Sequence, residues 1–347
     1  MPIGADLTLL LAIIALALLF DYINGFHDAA NAIATVVATK VMTPRVAVLF
    51  GATFNFAGAL MNSHVAITIS KGLVHEQGMS MTIVLCALGG AITWNLLTWW
   101  WGLPSSSSHA LIGSLLGATF FATPQGSKNI AWDAVLQKIV IPMGTSPLLG
   151  FTFGFLIMTG LIWLVYRISL HKTNAVFGKL QILSACFMGL SHGNNDAQKS
   201  MGIITLALLT YAKLPGVHFP PWFFLPSQTE PPLWVMMACA TMMALGTLSG
   251  GWKIIHTLGN KMIKLQPIHG FAAEAAASGI ILTASHFGIP LSTTHVITTS
   301  IMGVGATKRL SALKLGVVGN IVWAWVLTIP LTFLFTGLLV SLIKLLH

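Results

Sequence analysis

Of the 347 residues, 55% are hydrophobic and only 7% are charged, far below the roughly one quarter charged that a soluble domain carries. A soluble chain this long needs many more charged side chains to cover its surface, so soluble enzyme and soluble binding-module classes are excluded. The net charge of +9 does not mark a nucleic-acid binder either, because the basic residues are scattered and no soluble domain carries them.

In chain order, the apolar run Leu7–Phe20 has no basic leader and no small-residue cleavage site, and reads as a retained membrane span. The motif Asn24-Gly-Phe-His-Asp-Ala-Ala-Asn-Ala32 follows, in a segment ending near Thr39, and a second run returns by Ser70. Met81–Trp101 and Pro104–Thr119 form an apolar pair interrupted by Gly-x-Pro, and Pro147–Val165 is the next span. The second half brings His192-Gly-Asn-Asn-Asp-Ala-Gln-Lys-Ser200 and the Pro- and aromatic-rich loop Leu214–Pro232. Another interrupted pair, Gly270–Phe287 with Pro290–Gly305, and the closing run Val317–Leu342 complete the chain. With the N-terminus outside, most basic residues fall in inside loops, as the positive-inside rule requires. Asp6, Asp21, Glu76, Asp133 and Glu230 are expected near span ends or in loops. Cys86, Cys186 and Cys239 lie far apart in apolar runs and read as packing residues. Gly89-Gly90 and Gly250-Gly251 read as close helix packing.

Two motif pairs repeat in the same order, which points to duplication. Gly25, Asp28 and Ala29 match Gly193, Asp196 and Ala197; Gly102-Leu-Pro-Ser-Ser-Ser-Ser-His109 matches Gly288-Ile-Pro-Leu-Ser-Thr-Thr-His295. The register continues through Ser114/Ser300 and Gly117/Gly303. Each half holds three crossings plus one re-entrant pair, and an odd number of crossings inverts the second copy. The expected fold is therefore an all-α polytopic membrane protein. It has two inverted-topology repeats, residues 1–172 and 173–347, each with broken helices and a re-entrant helical hairpin, the hairpin tips meeting near mid-membrane.

Asp28, Asp196 and Glu274 fall inside apolar segments, where an ionisable group costs about 2.5–3.5 kcal/mol on insertion scales. Carboxylates with nearby amide and carbonyl oxygens from Asn24, Asn31, Asn194, Asn195 and Gln198 make a hard oxygen cage for Na⁺, or a protonation site. The competing reading is a pair of structural carboxylates bonded to helix ends, which gives no reason for their equivalence across the repeat. Ser106, Ser107, Ser108, Ser292, Thr293 and Thr294 stand directly ahead of helix-length runs, where hydroxyls cap and free N–H groups bind oxyanions. Two such termini meeting would cradle a tetrahedral anion, with Asn31 and Gln198 as acceptors for an anion's own proton. Ser and Thr that merely cap helices are the alternative. His109 and His295 orient these turns or touch substrate, and no histidine shows metal-ligand spacing along the chain.

Together these four motifs resemble the Pit family of inorganic phosphate transporters over nearly the whole chain, most of all the bacterial low-affinity PitA type. The long central soluble insertion of that type is absent here. The resemblance implies an integral plasma (inner) membrane carrier that imports inorganic phosphate with a cation. It implies that Asp28 and Asp196 are essential for coupling and that the Ser/Thr tips touch phosphate. No cofactor is implied, and the partners are phosphate, the coupling cation and the bilayer, with a homodimer compatible. Sodium-coupled relatives carry a glutamate where this chain has Asn55, while the later glutamate is kept as Glu274. H⁺ is therefore favoured over Na⁺, with a divalent metal as a companion of phosphate in the PitA type. An oxyanion carrier for sulfate, a small-anion channel and an intramembrane serine hydrolase using His109 and Asp28 are the rival readings.

Overall fold

The computed structural model describes residues 3–71, 73–75, 79–217, 219–220, 223–224, 230–308 and 314–346. Glu76, Arg309 and much of Leu214–Pro232 lie outside them. The described residues are helical almost throughout. Four helices are long and apolar enough to cross a membrane, or six if each bent pair is one span.

Helix α1 (Ile3–His27) and α2 (Ala29–Ala38) are separated only by Asp28. α3 (Pro44–Ala59) and α4 (His64–Lys71) meet at a 68° bend. α5 (Met81–Trp101) turns into α6 (Ser107–Ala122). A short α7 (Trp132–Val135) and a π turn lead into α8 (Ile141–Val165). α9 runs unbroken for 43 residues (Leu170–Ala212) and carries the expected 172/173 junction in its first turn. α10 (Leu233–Ser249) and α11 (Trp252–His256) bend by 61°. α12 (Pro267–His286) turns into α13 (Thr293–Ala306), and α14 (Leu315–Leu346) closes the chain.

The two interrupted pairs turn by the same device. α5 ends at Gly102 with φ +66°, its N–H bonded to Trp99 O and that of Leu103 to Thr98 O. α12 closes with Gly288 at φ +66°, Gly288 N–H on Ser285 O and Ile289 N–H on Ala284 O. This left-handed stop needs a residue without Cβ. Pro104 and Pro290 then follow, and a serine restarts the helix: Ser106 Oγ accepts His109 N–H and Ser292 Oγ accepts His295 N–H, both at 3.2 Å.

The matched halves interlock. α3 packs on α9 and α10 on α1, α6 on α14 and α13 on α8. Glycines permit the close approaches: a Cβ on Gly58 would lie 2.1 Å from Leu190 O, and one on Gly246 2.1 Å from Tyr22 O. Gly117 and Gly303 play equivalent parts, facing Phe333 O and Phe151 O at 2.2 and 2.0 Å. Of the two Gly-Gly pairs, Gly90 and Gly251 press on neighbouring helices and Gly250, at φ +69° on the α10 end, faces the Trp252 ring, while Gly89 faces open space.

Two expectations are corrected. The span expected from Pro147 begins at Ile141, with Pro147 inside the helix; as a residue without N–H it forfeits one ladder bond without ending the apolar segment. Asp21 is not at a span end: α1 continues past the apolar run to His27, and Asp21 is fully buried. The second acidic motif lies inside an unbroken helix, whereas Asp28 interrupts its own.

Candidate functional site

Both hairpin tips converge on the two acidic motifs, all of it closed to solvent: Ser107, Ser108, Thr293 and Thr294 are 1–2% exposed and Asp28 and Asp196 0–2%. Equivalent hydroxyls serve equivalent acids. Ser107 Oγ donates to Asp28 Oδ2 at 2.8 Å, and Thr293 Oγ1 donates to Asp196 Oδ2 at 3.2 Å. The residue just before each acid also serves it. His27 Nδ1 lies 2.6 Å from Asp28 Oδ1, and Asn195 Nδ2 donates to Asp196 Oδ1 at 2.8 Å.

Asn195 also fastens the second tip, its Nδ2 donating to Leu291 O (2.9 Å) and its Oδ1 accepting Leu291 N–H (3.3 Å). Ser108 Oγ reaches across to the same Leu291 carbonyl at 3.0 Å, so the two tips touch. The rings of His109 and His295 meet edge to face at 4.8 Å, and His295 lies against Trp325, whose indole N–H bonds Pro104 O. His109 and His295 thus pack the tips together. Asn31 Nδ2 bridges Thr293 and Thr294 at 3.2 and 2.9 Å, while its Oδ1 has no partner among the described residues.

Symmetry fails in the charges. The position equivalent to Asn31 is Lys199, whose buried ammonium sits 2.6 Å from Asp196 Oδ1. His192 Nε2 lies 3.3 Å from Asp196 Oδ2, and its Nδ1 lies 3.1 Å from Asn55 Oδ1. One donor atom each from Asp28, His192 and Asp196 all lie within 4.8 Å of one another. Two carboxylates that close repel each other unless a proton or cation lies between them. This cluster has the donors to hold one.

The other expected residues sit elsewhere. Gln198 caps α4: its Oε1 accepts Val65 and Ala66 N–H, and its Nε2 donates to Asn62, Asn194 O and Asn194 Oδ1. Asn194 is thereby engaged in the same cap. Glu274 is bonded by Thr35, Ser184 and Gln181, forming its own buried site between α2, α9 and α12. Asn24 is buried, and neither of its polar atoms has a partner among the described residues. Ser106 and Ser292 use their hydroxyls as helix caps.

Lys199, His27 and His192 were not singled out by the sequence reading. Lys199 and His192 were reachable: they stand three residues after and four before Asp196, one helical turn either way on the same face. The approach of His192 to Asp28 joins residues far apart in the chain and has no local signal.

An all-helical, multi-span membrane protein with its polar cluster between two hairpin tips is thus the class that fold and site define. The sequence profile described as "PHO4: Phosphate transporter family" matches residues 24–336. The chain belongs to the PHO4 phosphate transporter family, which makes it a carrier rather than an enzyme. It is 44% identical over 331 residues to a "Probable low-affinity inorganic phosphate transporter" of Rhizobium meliloti (strain 1021), covering 95% of each chain. A protein so described from Bacillus subtilis (strain 168) is 43% identical, with 96% of each chain covered. The solved structure titled "The sodium-dependent phosphate transporter" superposes with a TM-score of 0.85 at 26% identity, covering 98% of this chain and all of that one.

Proposed function

We propose that this carrier imports inorganic phosphate across the cell's plasma (inner) membrane by symport with a cation, H⁺ ahead of Na⁺, and that its cargo includes phosphate accompanied by a divalent metal. The observation that carries the reading is the matched pair of bonds from Ser107 to Asp28 and from Thr293 to Asp196. In this reading the chain consists of two inverted-topology repeats, 1–172 and 173–347, each bearing a re-entrant hairpin. Phosphate binds between the tips through the hydroxyls and helix N-termini of Ser107, Ser108, Thr293 and Thr294. Ser106 and Ser292 shape the turns, and the free Oδ1 of Asn31 accepts the phosphate's proton. Neutral donors hold the anion without a fixed positive clamp, so it can leave on the far side.

Coupling follows from the same bonds. With both acids ionised, the charge on the Asp28–Asp196 pair that Lys199 leaves unbalanced repels an anion, and their oxygens hold the hydroxyls that would bind it. A proton or cation taken up there removes the repulsion and frees Ser107 and Thr293 to turn to phosphate. Each ligand then raises the affinity for the other, as linkage requires. Proton coupling is supported by Asn55, which puts a neutral amide where sodium-coupled relatives carry glutamate, and which is engaged with Thr247 and His192. The name of the solved relative, a sodium-dependent phosphate transporter, supports Na⁺ as the second reading. Uptake of radiolabelled phosphate into proteoliposomes under separately imposed pH and Na⁺ gradients decides between them: the proposal expects accumulation driven by the pH gradient. Accumulation under the Na⁺ gradient alone would replace H⁺ by Na⁺, and no uptake under either would remove symport.

A further inference from the structure

Among the described residues four acids are buried: Asp21, Asp28, Asp196 and Glu274. Three are answered. Asp28 has His27 and Ser107, Asp196 has Lys199, Asn195 and Thr293, and Glu274 has Thr35, Ser184 and Gln181. Asp21 is different: it is 0% exposed and, among the described residues, neither carboxylate oxygen has a partner in hydrogen-bond geometry, the Ser200 hydroxyl and the Cys239 thiol being its neighbours.

Its surroundings are polar and also unanswered. The side chains of Ser200 on α9 and Cys239 on α10 lie beside the carboxyl, and Ser200 Oγ has no partner. Asn24, one turn further along α1, has neither its oxygen nor its nitrogen bonded. α1 packs against α5, and the His27–Thr98 contact fixes an offset of 71 residues between them. Leu10, Ile13, Ala17 and Phe20 share an apolar cluster with Met81, Val84, Leu88 and Ala91, and His27 Nε2 is 3.0 Å from Thr98 Oγ1. Continuing that register sets Asn24 opposite Asn95, which is likewise buried with both polar atoms unpartnered.

We propose that Asp21, in the polar chamber formed with Asn24, Asn95 and Ser200, is the carboxyl that carries a coupling proton. An unpaired carboxylate at membrane depth is costly; the neutral acid removes the charge and gives an O–H donor for Asn24, Asn95 or Ser200, whose oxygens are free to accept it. The charged and titratable groups facing it are Lys199 and Asp196 on α9 and the Cys239 thiol on α10; the residue aligned on α5 is the neutral Asn95. A single carboxyl with a soft thiol beside it is a poor cage for a hard metal cation, whereas a proton needs no such cage. Asp21 also breaks the repeat, since the equivalent position is Gly189. A site present in one half only gives one proton per cycle that the matched Asp28–Asp196 pair does not supply.

The inference rests on reading the protein as a proton-coupled carrier, and the test separates the two. Proteoliposomes are assayed for phosphate/phosphate exchange, which needs no net proton movement, and for accumulation driven by a pH gradient. The wild type should do both. Asp21→Asn, which keeps the size and removes the titration, should keep exchange within about twofold and lose accumulation to the no-gradient level. Asp21→Glu, which changes the size and keeps the carboxyl, should retain most of the accumulation. Full pH-driven accumulation by Asp21→Asn overturns the proposal, as does loss of exchange together with accumulation in that variant. Retention in Asn with loss in Glu makes Asp21 a packing residue and overturns it too. A wild type that exchanges phosphate but ignores the pH gradient overturns proton coupling itself; one that does not exchange phosphate overturns the functional reading.

Discussion

The hydroxyl of Ser107 on α6 donates to Asp28 at the α1–α2 break over 2.8 Å, tying the tip of one hairpin to the acid of the matching motif. Because Thr293 repeats that bond on Asp196, substrate donors and coupling acids are one network. Replacing Asp28 by its amide should abolish gradient-driven phosphate uptake while leaving expression and thermal unfolding near wild type. Asp196→Asn should abolish uptake too, but it strands the buried Lys199 ammonium and is therefore compared in the Lys199→Met background. Near-normal uptake by a well-expressed Asp28→Asn or Asp196→Asn protein would separate the acids from coupling.

The Lys199–Asp196 pair gives a test of stability. Lys199→Met leaves a buried carboxylate with neutral partners, and breaking a buried pair from one side costs about 3–5 kcal/mol. Combining it with Asp196→Asn should recover most of that loss in detergent unfolding curves but none of the transport. If the single and double variants melt alike, the ammonium is not what neutralises Asp196.

Helix contacts predict a contrast between glycines. A Cβ on Gly193 would lie 2.0 Å from the backbone oxygen of Asn55, so Gly193→Ala must push α9 from α3, at about 1–3 kcal/mol. Gly89 has nothing within 4 Å, and Gly89→Ala should be neutral or stabilise by up to about 1 kcal/mol through helix propensity. Thermal unfolding of the two variants checks the sign of each.

Much of this architecture was legible because duplication makes a pattern visible twice. Gly102/Gly288 and Ser106/Ser292 could be read as matched stop and restart signals, and the matched acids stood out against an apolar background. What escaped was whatever the repeat does not duplicate or the chain does not bring close in sequence. Asp21 has a glycine as its counterpart and ends an apolar run, so hydropathy alone set it at a membrane edge. Gln198 looked like a substrate acceptor from its place in the motif, but the exposed N–H groups of α4, 133 residues away from it at Val65, claim its amide. The continuity of α9 through Asp196 was illegible for a related reason: Lys199 and His192 supply in side chains the charge balance that a broken helix would supply with its ends.

Selectivity should follow from the free acceptor at Asn31. Phosphate and arsenate near neutral pH carry at least one O–H on the central atom, and sulfate carries none. A site that hydrogen-bonds that proton can discriminate on the order of 10⁴-fold in favourable cases. Arsenate should therefore compete with phosphate in uptake, and sulfate in large excess should not. Equal inhibition by sulfate would mean that no acceptor faces the anion.

The most direct measurement is a calorimetric titration of phosphate into purified wild type, Ser108→Ala, Thr294→Ala and the double variant. Neither position bonds to Asp28 or Asp196, so the acids keep their partners; thermal unfolding of each variant checks the contacts the two hydroxyls do make, Ser108 with Leu291 O and Thr294 with Asn31. Each hydrogen bond to a charged ligand is worth about 1.5–3 kcal/mol. The account predicts affinity lower by roughly ten- to a hundredfold in each single variant, with a further loss in the double. Unchanged dissociation constants in both single variants would contradict a phosphate site between the two hairpin tips.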